Sequence, residues 1–262
     1  SQFINLYYMS NSNMDPPQET ESSAPTSHGS VDYDQALKYW GDVSADDCGM
    51  LGGVPKWKGY ANINKVDLHG SRSFLAKLGI GEKNGRQIVE NALEGGAGIG
   101  RVTEGLLLHV AREVDIIEPI FKFTLALHGK PGIRSIENIS MSAWRPDPLV
   151  SYGLVWIQWC LGYLTDEEVL EHLGHCKSAL KSPNGLIVIK ENISTSGQDI
   201  YDDEDGGVTR GDAKFRKLFK EAGLRIVKVE IQKGMSPANA EKLFPVKMYG
   251  LKPEALEPEI EQ

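Results

Sequence analysis

The sequence predicts an α/β fold, with a mostly parallel sheet and helices on both of its faces. Three observations carry this expectation. Short apolar, β-branched runs alternate with longer amphipathic stretches from about residue 87 onward. The spacing between successive runs leaves room for helical crossovers, which parallel strands require. A glycine-dense turn, Leu93-Glu94-Gly95-Gly96-Ala97-Gly98-Ile99-Gly100-Arg101, follows the first run directly.

In chain order, strands are expected at QIVENAL (87–93), EVDII (113–117), RSIENIS (134–140) and YGLVWIQ (152–158). Two more follow at GLIVIKE (185–191) and LRIVKVEIQ (224–232). Between them, RVTEGLLLHVAR (101–112) is expected to be a helix opening at the glycine turn. TDEEVLEHLGHCKSAL (165–180) carries a capping box, Thr165 with Glu168 three residues on. RGDAKFRKLFKEAG (210–223) ends on Gly223, a helix-stopping residue. FPVKMYGL (244–251) follows its predecessor without a long helix and therefore returns antiparallel. Two earlier helices, around Tyr33–Trp40 and Ser71–Leu78, are placed to cover a pocket. One domain over 31–252 is expected, flanked by disordered tails at 1–30 and 253–262 that are too polar to offset their ordering entropy.

Composition narrows the function. The 262 residues, 40% of them hydrophobic, suffice for one sizeable core or two small ones. A net charge of −8 argues against nucleic acid or anionic membrane as partner and favours basic partners. Cys48, Cys160 and Cys176 are odd in number and lack metal-ligand spacing, which predicts free thiols, no bound metal and a cytoplasmic or nuclear location. The most apolar stretch, Leu149–Leu164, is short and interrupted by Ser151, Gly153, Gln158 and Gly162, so no membrane span is expected. The opening SQFINLYYM has no secretory pattern, and the glycosylation-type triplets at Asn138 and Asn192 are then coincidental. The acids of Asp202-Asp203-Glu204-Asp205 fall at the wrong offsets for a calcium loop.

A glycine turn of this kind brings backbone N–H groups and a helix start close to an anionic ligand. The order Gly96-Ala97-Gly98-Ile99-Gly100 is not the dinucleotide pattern G-x-G-x-x-G. With Glu94 before it and Glu118 closing the next strand, it points to S-adenosyl-methionine. Glu118 would accept hydrogen bonds from both ribose hydroxyls, and Arg101 would pair with the carboxylate of the methionine moiety. A purely structural turn or a nicotinamide-dependent oxidoreductase remains open at this point.

Further motifs resemble one family. Tyr39-Trp40, GMLGG (49–53), GGAGIGRVT (95–103), REVDIIEP (112–119), WIQWCLGYLTD (156–166), NGLIVIKEN (184–192) and DDEDGGVTRGDAKFRKLFKEAGL (202–224) occur in the order seen in protein α-N-terminal methyltransferases. The resemblance covers most of residues 33–252. It implies a Rossmann-like class I methyltransferase fold: a seven-stranded sheet, an N-terminal helical extension, and a β-hairpin inserted after the fifth strand, near Gly197–Val208. It implies S-adenosyl-methionine as cofactor and, as substrates, proteins or peptides with a free N-terminus reading Xaa-Pro-Lys or Xaa-Pro-Arg. Gly96, Gly98, Arg101, Glu118, Gln158 and Trp40 match the family's cofactor contacts, with Ser142 standing at the adenine position. Trp159 matches the indole that packs on the substrate proline, and Asn192 the amide that holds the first carbonyl. Asp202 and Asp205 match carboxylates near the amine and the third-position cation; Leu51, Gly52 and Ile63 match the channel for the leading residues.

Four departures from the family pattern stand out. Tyr163 replaces a histidine, and Gly206 and Gly207 replace serines. Ser142 and Ala143 replace a polar pair. The stretch Gly52–Ile63 is altered and lengthened, and Phe121–Arg134 is shortened. An α-amine has a pKa of about 7.7–8.0, so its deprotonation at neutral pH costs on the order of 1 kcal/mol and orientation matters more than a strong base. Asp205 is expected to take that proton, because Tyr163, with a pKa of about 10, is a poor base. Two rival readings are a small-molecule methyltransferase of the same fold and a non-catalytic cofactor-binding relative.

Overall fold

The computed structural model describes residues 30–83, 85–236 and 243–254. Both expected tails lie largely outside these residues. Seven strands form one sheet: β1 (Val89–Gly95), β2 (Ala111–Ile117), β3 (Ile133–Glu137), β4 (Leu154–Gln158), β5 (Leu186–Asn192), β8 (Leu224–Ile231) and β9 (Val246–Pro253). Their order across the sheet is β3-β2-β1-β4-β5-β9-β8. The first five are mutually parallel, and β9 runs antiparallel between β5 and β8. The expected seven strands and the antiparallel return of the last are therefore present. β9 reaches Pro253, one residue into the stretch assigned to the carboxy-terminal tail.

Period-two alternation sorts the core onto the two faces. On β4, Val155 and Ile157 join one cluster with Leu93, Ile187, Ile189 and Tyr249. That face is covered by α6 (Asp166–Ser178) through Val169 and Leu173, and by α7 (Asp212–Glu221) through Phe215, Leu218 and Phe219. Leu154 and Trp156 point the other way, into a cluster with Ala92, Val114, Ile116 and Val188. There the cover comes from α3 (Ile63–Lys77), through Phe74 and Leu75, and from α4 (Arg101–Gly105), through Val102. The capping box of α6 forms as expected: Glu168 N–H donates to Thr165 Oγ1 at 3.2 Å and Thr165 N–H to Glu168 Oε2 at 2.8 Å.

Two helices differ from expectation. The helix predicted over 101–112 stops at Gly105, after which Leu106 leaves the helical region and a 3-10 turn spans Leu107–His109. A Cβ on Gly105 would meet Leu68 Cδ1 at 2.6 Å, so close packing on α3 takes the place of helix continuation. Conversely, α3 starts at Ile63, eight residues before the predicted Ser71. Its buried face includes Asp67 and Ser71, and polar residues on that stripe hide the helical period from a hydrophobicity pattern.

Further elements gather at the carboxyl ends of the parallel strands. They are α1 (Tyr33–Asp42), the single turns α2 (Asp47–Met50) and α5 (Phe121–Thr124), and the hairpin of β6 (Ile200–Tyr201) with β7 (Val208–Thr209). The hairpin lies after the fifth strand, where the family resemblance places it. The short α5 and a following 3-10 turn make up the abbreviated crossover to β3.

Candidate active site

At the carboxyl ends of β1, β2 and β4 lies a cleft with about 1130 Å³ of free space, counting the part open to solvent. Such crevices are where open α/β sheets bind ligands. The cleft is walled by the glycine turn, Glu118 at the end of β2, Gln158 and Trp159 at the end of β4, and one face of α1. Gly96, Gly98 and Gly100 all have positive φ, at 68°, 57° and 83°. A Cβ on Gly96 would come within 2.7 Å of Cys160, and one on Gly98 within 2.6 Å of Met50 Sδ. Glycine is required there for both backbone angle and clearance.

Four of the turn's N–H groups are engaged within the protein rather than turned to the cleft as donors. Gly96 and Ala97 N–H both donate to the Ile117 carbonyl, at 2.9 and 3.3 Å. Gly98 N–H donates to Glu118 Oε2 at 2.8 Å, and Gly100 N–H to the Ala97 carbonyl at 3.0 Å. The glycines thus clear space and seat Glu118, whose other oxygen accepts from Ile120 N–H at 2.8 Å.

Three buried glutamates surround this centre. Burial pushes Glu94 up to about 8, against the pull of its Thr103 hydroxyl donor and of Arg101. It pushes Glu118 up to about 7, against the Ile120 and Gly98 N–H groups. Glu191 also rises to about 7 by burial, although its Oε1 accepts from Leu161 and Cys160 N–H, both at 2.9 Å. With unfolded values of 4.5, each carboxyl binds more protons in the folded state than in the unfolded one, so stability falls as pH rises towards 8 and then levels. His172, lowered to about 4 by burial, acts in the opposite direction, mostly below pH 6.5. The ligand-free protein should therefore lose about 1–3 kcal/mol between pH 6.5 and 8, measured as a falling urea midpoint. A rising midpoint over that window would contradict it.

Arg101, the first residue of α4, has a side chain only 7% exposed, and its Nη1 donates to Asp67 Oδ2 at 2.7 Å and to Asn64 Oδ1 at 2.9 Å. Gln158 Nε2 donates to both oxygens of the same Asp67, at 3.1 and 3.0 Å, while its Oε1 accepts from Trp156 Nε1 at 3.1 Å. The fully buried Lys190 pairs with Asp67 Oδ1 at 2.5 Å and donates to Ser71 Oγ and Gln232 Oε1, both at 2.9 Å. Burial by itself would raise Asp67, but Lys190 and Arg101 hold it down at about 2.

Trp159 is the one non-glycine residue with positive φ among the described residues, at 56°. For a bulky side chain that conformation costs about 1–3 kcal/mol and persists only where the surroundings enforce it. Its N–H donates to the Lys190 carbonyl at 3.1 Å, and Glu191 holds the next two amides. The indole packs against a cluster that contains Leu51, Val54 and Ile63, and Arg101 Cζ lies 5.4 Å from the ring centroid.

On the opposite wall, Trp40 meets Tyr163 edge-on, with centroids 6.1 Å apart. Tyr163 OH donates to Asp205 Oδ2 at 3.0 Å, and Gly207 N–H donates to Asp205 Oδ1 at 3.0 Å. Burial first, then the charge of Asp202, raises Asp205, while burial and Asp205 push Tyr163 well above its usual value. The hairpin is tied to α1: Asp32 N–H donates to the Gly206 carbonyl at 2.9 Å, and Gln35 Nε2 donates to the Asp203 carbonyl. Gly206 has φ of 70°, and a Cβ there would meet the Asp32 carbonyl oxygen at 2.3 Å. Its glycine, one of the departures from the family pattern, is therefore what lets α1 seat on the hairpin.

Of the residues singled out by sequence, Trp40, Gly96, Gly98, Arg101, Glu118, Gln158, Trp159 and Tyr163 line the cleft together. Asp205 joins through Tyr163, and Leu51 and Ile63 through the cluster at Trp159. Gly52 follows Leu51 with φ of 59°, Asp202 is buried in the hairpin, and Asn192 ends β5 beside Glu191. Ser140 and Met141 line the cleft where Ser142 was expected; Ser142 Oγ lies 3.0 Å from Ser140 Oγ. Asp67, Lys190 and Glu191 were not anticipated as parts of the site. A charged residue in an otherwise apolar buried strand, as in LIVIKEN, was the available signal for the latter two.

Comparison with known proteins agrees with this geometry. The profile of the family described as AdoMet-dependent proline di-methyltransferase matches residues 28–252. The chain is 40% identical over 227 residues to alpha N-terminal protein methyltransferase 1 of Schizosaccharomyces pombe, covering 84% of this chain and 96% of that one. It is 38% identical over 205 residues to N-terminal Xaa-Pro-Lys N-methyltransferase 1 of Danio rerio, covering 76% and 87%. A solved SAM-dependent methyltransferase from Leishmania major superposes with a TM-score of 0.72 at 36% identity, covering 84% of this chain and 82% of that one. With the profile spanning both walls of the cleft, the chain belongs to the AdoMet-dependent proline di-methyltransferase family.

Proposed function

We propose that this protein methylates the free α-amine of protein N-termini that begin Xaa-Pro-Lys or Xaa-Pro-Arg, with S-adenosyl-methionine as donor. The observation that carries the proposal is the left-handed backbone at Trp159, which sets an indole between the cofactor cleft and the Leu51–Ile63 cluster. A rigid proline ring, apolar and without an N–H, suits that indole face. The relatives named above carry names that state this activity.

The residues present fit the cofactor. Clearance at Gly96 and Gly98 leaves room beside the turn, and Glu118 and Arg101 stand on the cleft walls as acceptor and cation. Glu118 would hold the ribose and Arg101 the amino-acid carboxylate; Gln158 and Trp40 complete that side, with Ser140 lining the cleft in place of Ser142. When bound, the cofactor supplies an electrophilic methyl group. On the substrate side, Leu51, Gly52 and Ile63 would guide the leading residue, Asn192 would hold its carbonyl, and Asp202 would face the third-position cation. Asp205, raised by burial, is the group that would accept the ammonium proton, with Tyr163 orienting it. A net charge of −8 favours basic peptides over nucleic acid. No helix among the described residues is long and apolar enough to cross a membrane.

The test is mass spectrometry of a synthetic Xaa-Pro-Lys peptide incubated with enzyme and cofactor. Successive one-methyl increments on the amino terminus are expected, and none on an N-acetylated control. Normal cofactor binding without any increment would overturn the substrate assignment and favour the small-molecule or non-catalytic reading.

A further inference from the structure

Arg101 and Gln158 lie on different elements, α4 and β4, yet both are held by one carboxylate. Asp67 on α3 accepts from Arg101 Nη1 at 2.7 Å and from Gln158 Nε2 at 3.1 and 3.0 Å. It is fully buried, so neither contact competes with water. We infer that Asp67 is a positioning residue that aims Arg101 and Gln158 at the amino-acid half of the cofactor. This rests on the reading of Arg101 as the carboxylate partner given above.

Two features distinguish this role from that of a structural ion pair. The first is charge. Asp67 faces two cations, Arg101 and Lys190, so the buried cluster keeps one positive charge in excess. Glu94, the other carboxyl acting on Arg101, is pushed up to about 8 and is mostly neutral at pH 7. The excess charge lies on the cleft side, because Arg101 lines the cleft and Lys190 does not. A carboxylate arriving there completes the neutralisation. The second feature is geometry. Asn64 and Asp67 together fix Nη1, and the Trp159 ring lies beside the guanidinium, so its plane has one orientation left to present. A lone surface pair would leave it several.

The experiment compares two ligands by calorimetry. S-adenosyl-homocysteine carries the amino-acid half; 5′-methylthioadenosine is the nucleoside thioether without it. Asp67→Asn should weaken S-adenosyl-homocysteine about 10- to 100-fold, the effect of one misplaced charged hydrogen bond, and leave 5′-methylthioadenosine within about twofold. Because the single change leaves two buried cations together, the charge-balanced pair Asp67→Asn with Lys190→Gln is measured alongside, and the same selective loss is expected. Equal weakening of both ligands, or of neither, in both variants overturns the inference. Arg101→Met separates the two levels. If it removes the preference for S-adenosyl-homocysteine while the Asp67 variants keep it, the role of Asp67 alone fails. If it too keeps the preference, the carboxylate reading of Arg101 fails with it.

Discussion

Glu118→Ala should abolish detectable cofactor binding at micromolar concentrations while the sheet still folds. The two Glu118 oxygens are held by Gly98 and Ile120 N–H at 2.8 Å, so the carboxylate is preset at the carboxyl end of β2 rather than selected on binding. Two ribose hydroxyls donating to a charged acceptor are worth about 1.5–3 kcal/mol each, so their loss weakens binding by roughly 100-fold or more. The alanine also releases Gly98 N–H, which loosens the turn that clears the cleft. A second signature follows from burial. Glu118 titrates near 7, and hydroxyl donors favour its ionised form, so affinity in the parent protein should rise as pH goes from 6 to 8. That rise should be reduced in Glu118→Ala. Calorimetry across this range measures both effects, and unchanged affinity in the variant would remove Glu118 from the cofactor site.

Local signals in the sequence located the parts of the fold that local chemistry decides. The capping box of α6 needs only Thr165 and Glu168, and the glycine turn needs only positive φ at three positions. The continuous apolar runs LVWIQ and LIVIKEN mark strands buried on both faces, which places the centre of the sheet. What could not be read is the polar interior. Lys190 reaches the Asp67 backbone carbonyl across 123 residues, and no spacing rule connects them. The same contact hid the start of α3, since a charged residue on the buried face interrupts the apolar stripe. The glycine turn is legible as a tight, side-chain-free backbone, but the partners of its N–H groups are not. Which N–H groups it offers depends on where Ile117 and Glu118 lie in the neighbouring strand, and that is a tertiary fact. Tyr163 and Gly206 appeared in the sequence as departures from the family pattern. The structure connects both to one assembly, the hairpin against α1.

Asp205→Asn should lower kcat/KM by roughly 100-fold or more, the range of general-base loss, whereas Tyr163→Phe should cost less than about tenfold. The direction of their hydrogen bond decides the ranking. Tyr163 OH donates to Asp205 Oδ2 at 3.0 Å, so the tyrosine is the orienting partner and the carboxylate the acceptor. Burial and Asp205 push the Tyr163 hydroxyl well above its usual value, so at neutral pH it holds its proton and cannot take one from an amine. Asp205 moves the other way in usefulness: burial and Asp202 raise it, which brings its basicity closer to that of an α-amine at about 7.7–8.0. An asparagine at 205 keeps the size: its Oδ1 can still accept from Gly207 N–H, and its Nδ2 can donate to the Tyr163 hydroxyl oxygen, so the loss reports charge and basicity rather than collapse of the hairpin. Phenylalanine at 163 keeps the edge-on contact with Trp40 and removes one hydrogen bond, worth about 0.5–1.5 kcal/mol. The pH profile adds a check on mechanism. If the α-amine itself limits the acidic limb, that limb should persist in Tyr163→Phe with an unchanged midpoint. Turnover lost in Tyr163→Phe and retained in Asp205→Asn would reverse the roles, because it would require the hydroxyl, and not the carboxylate it serves, to act on the amine.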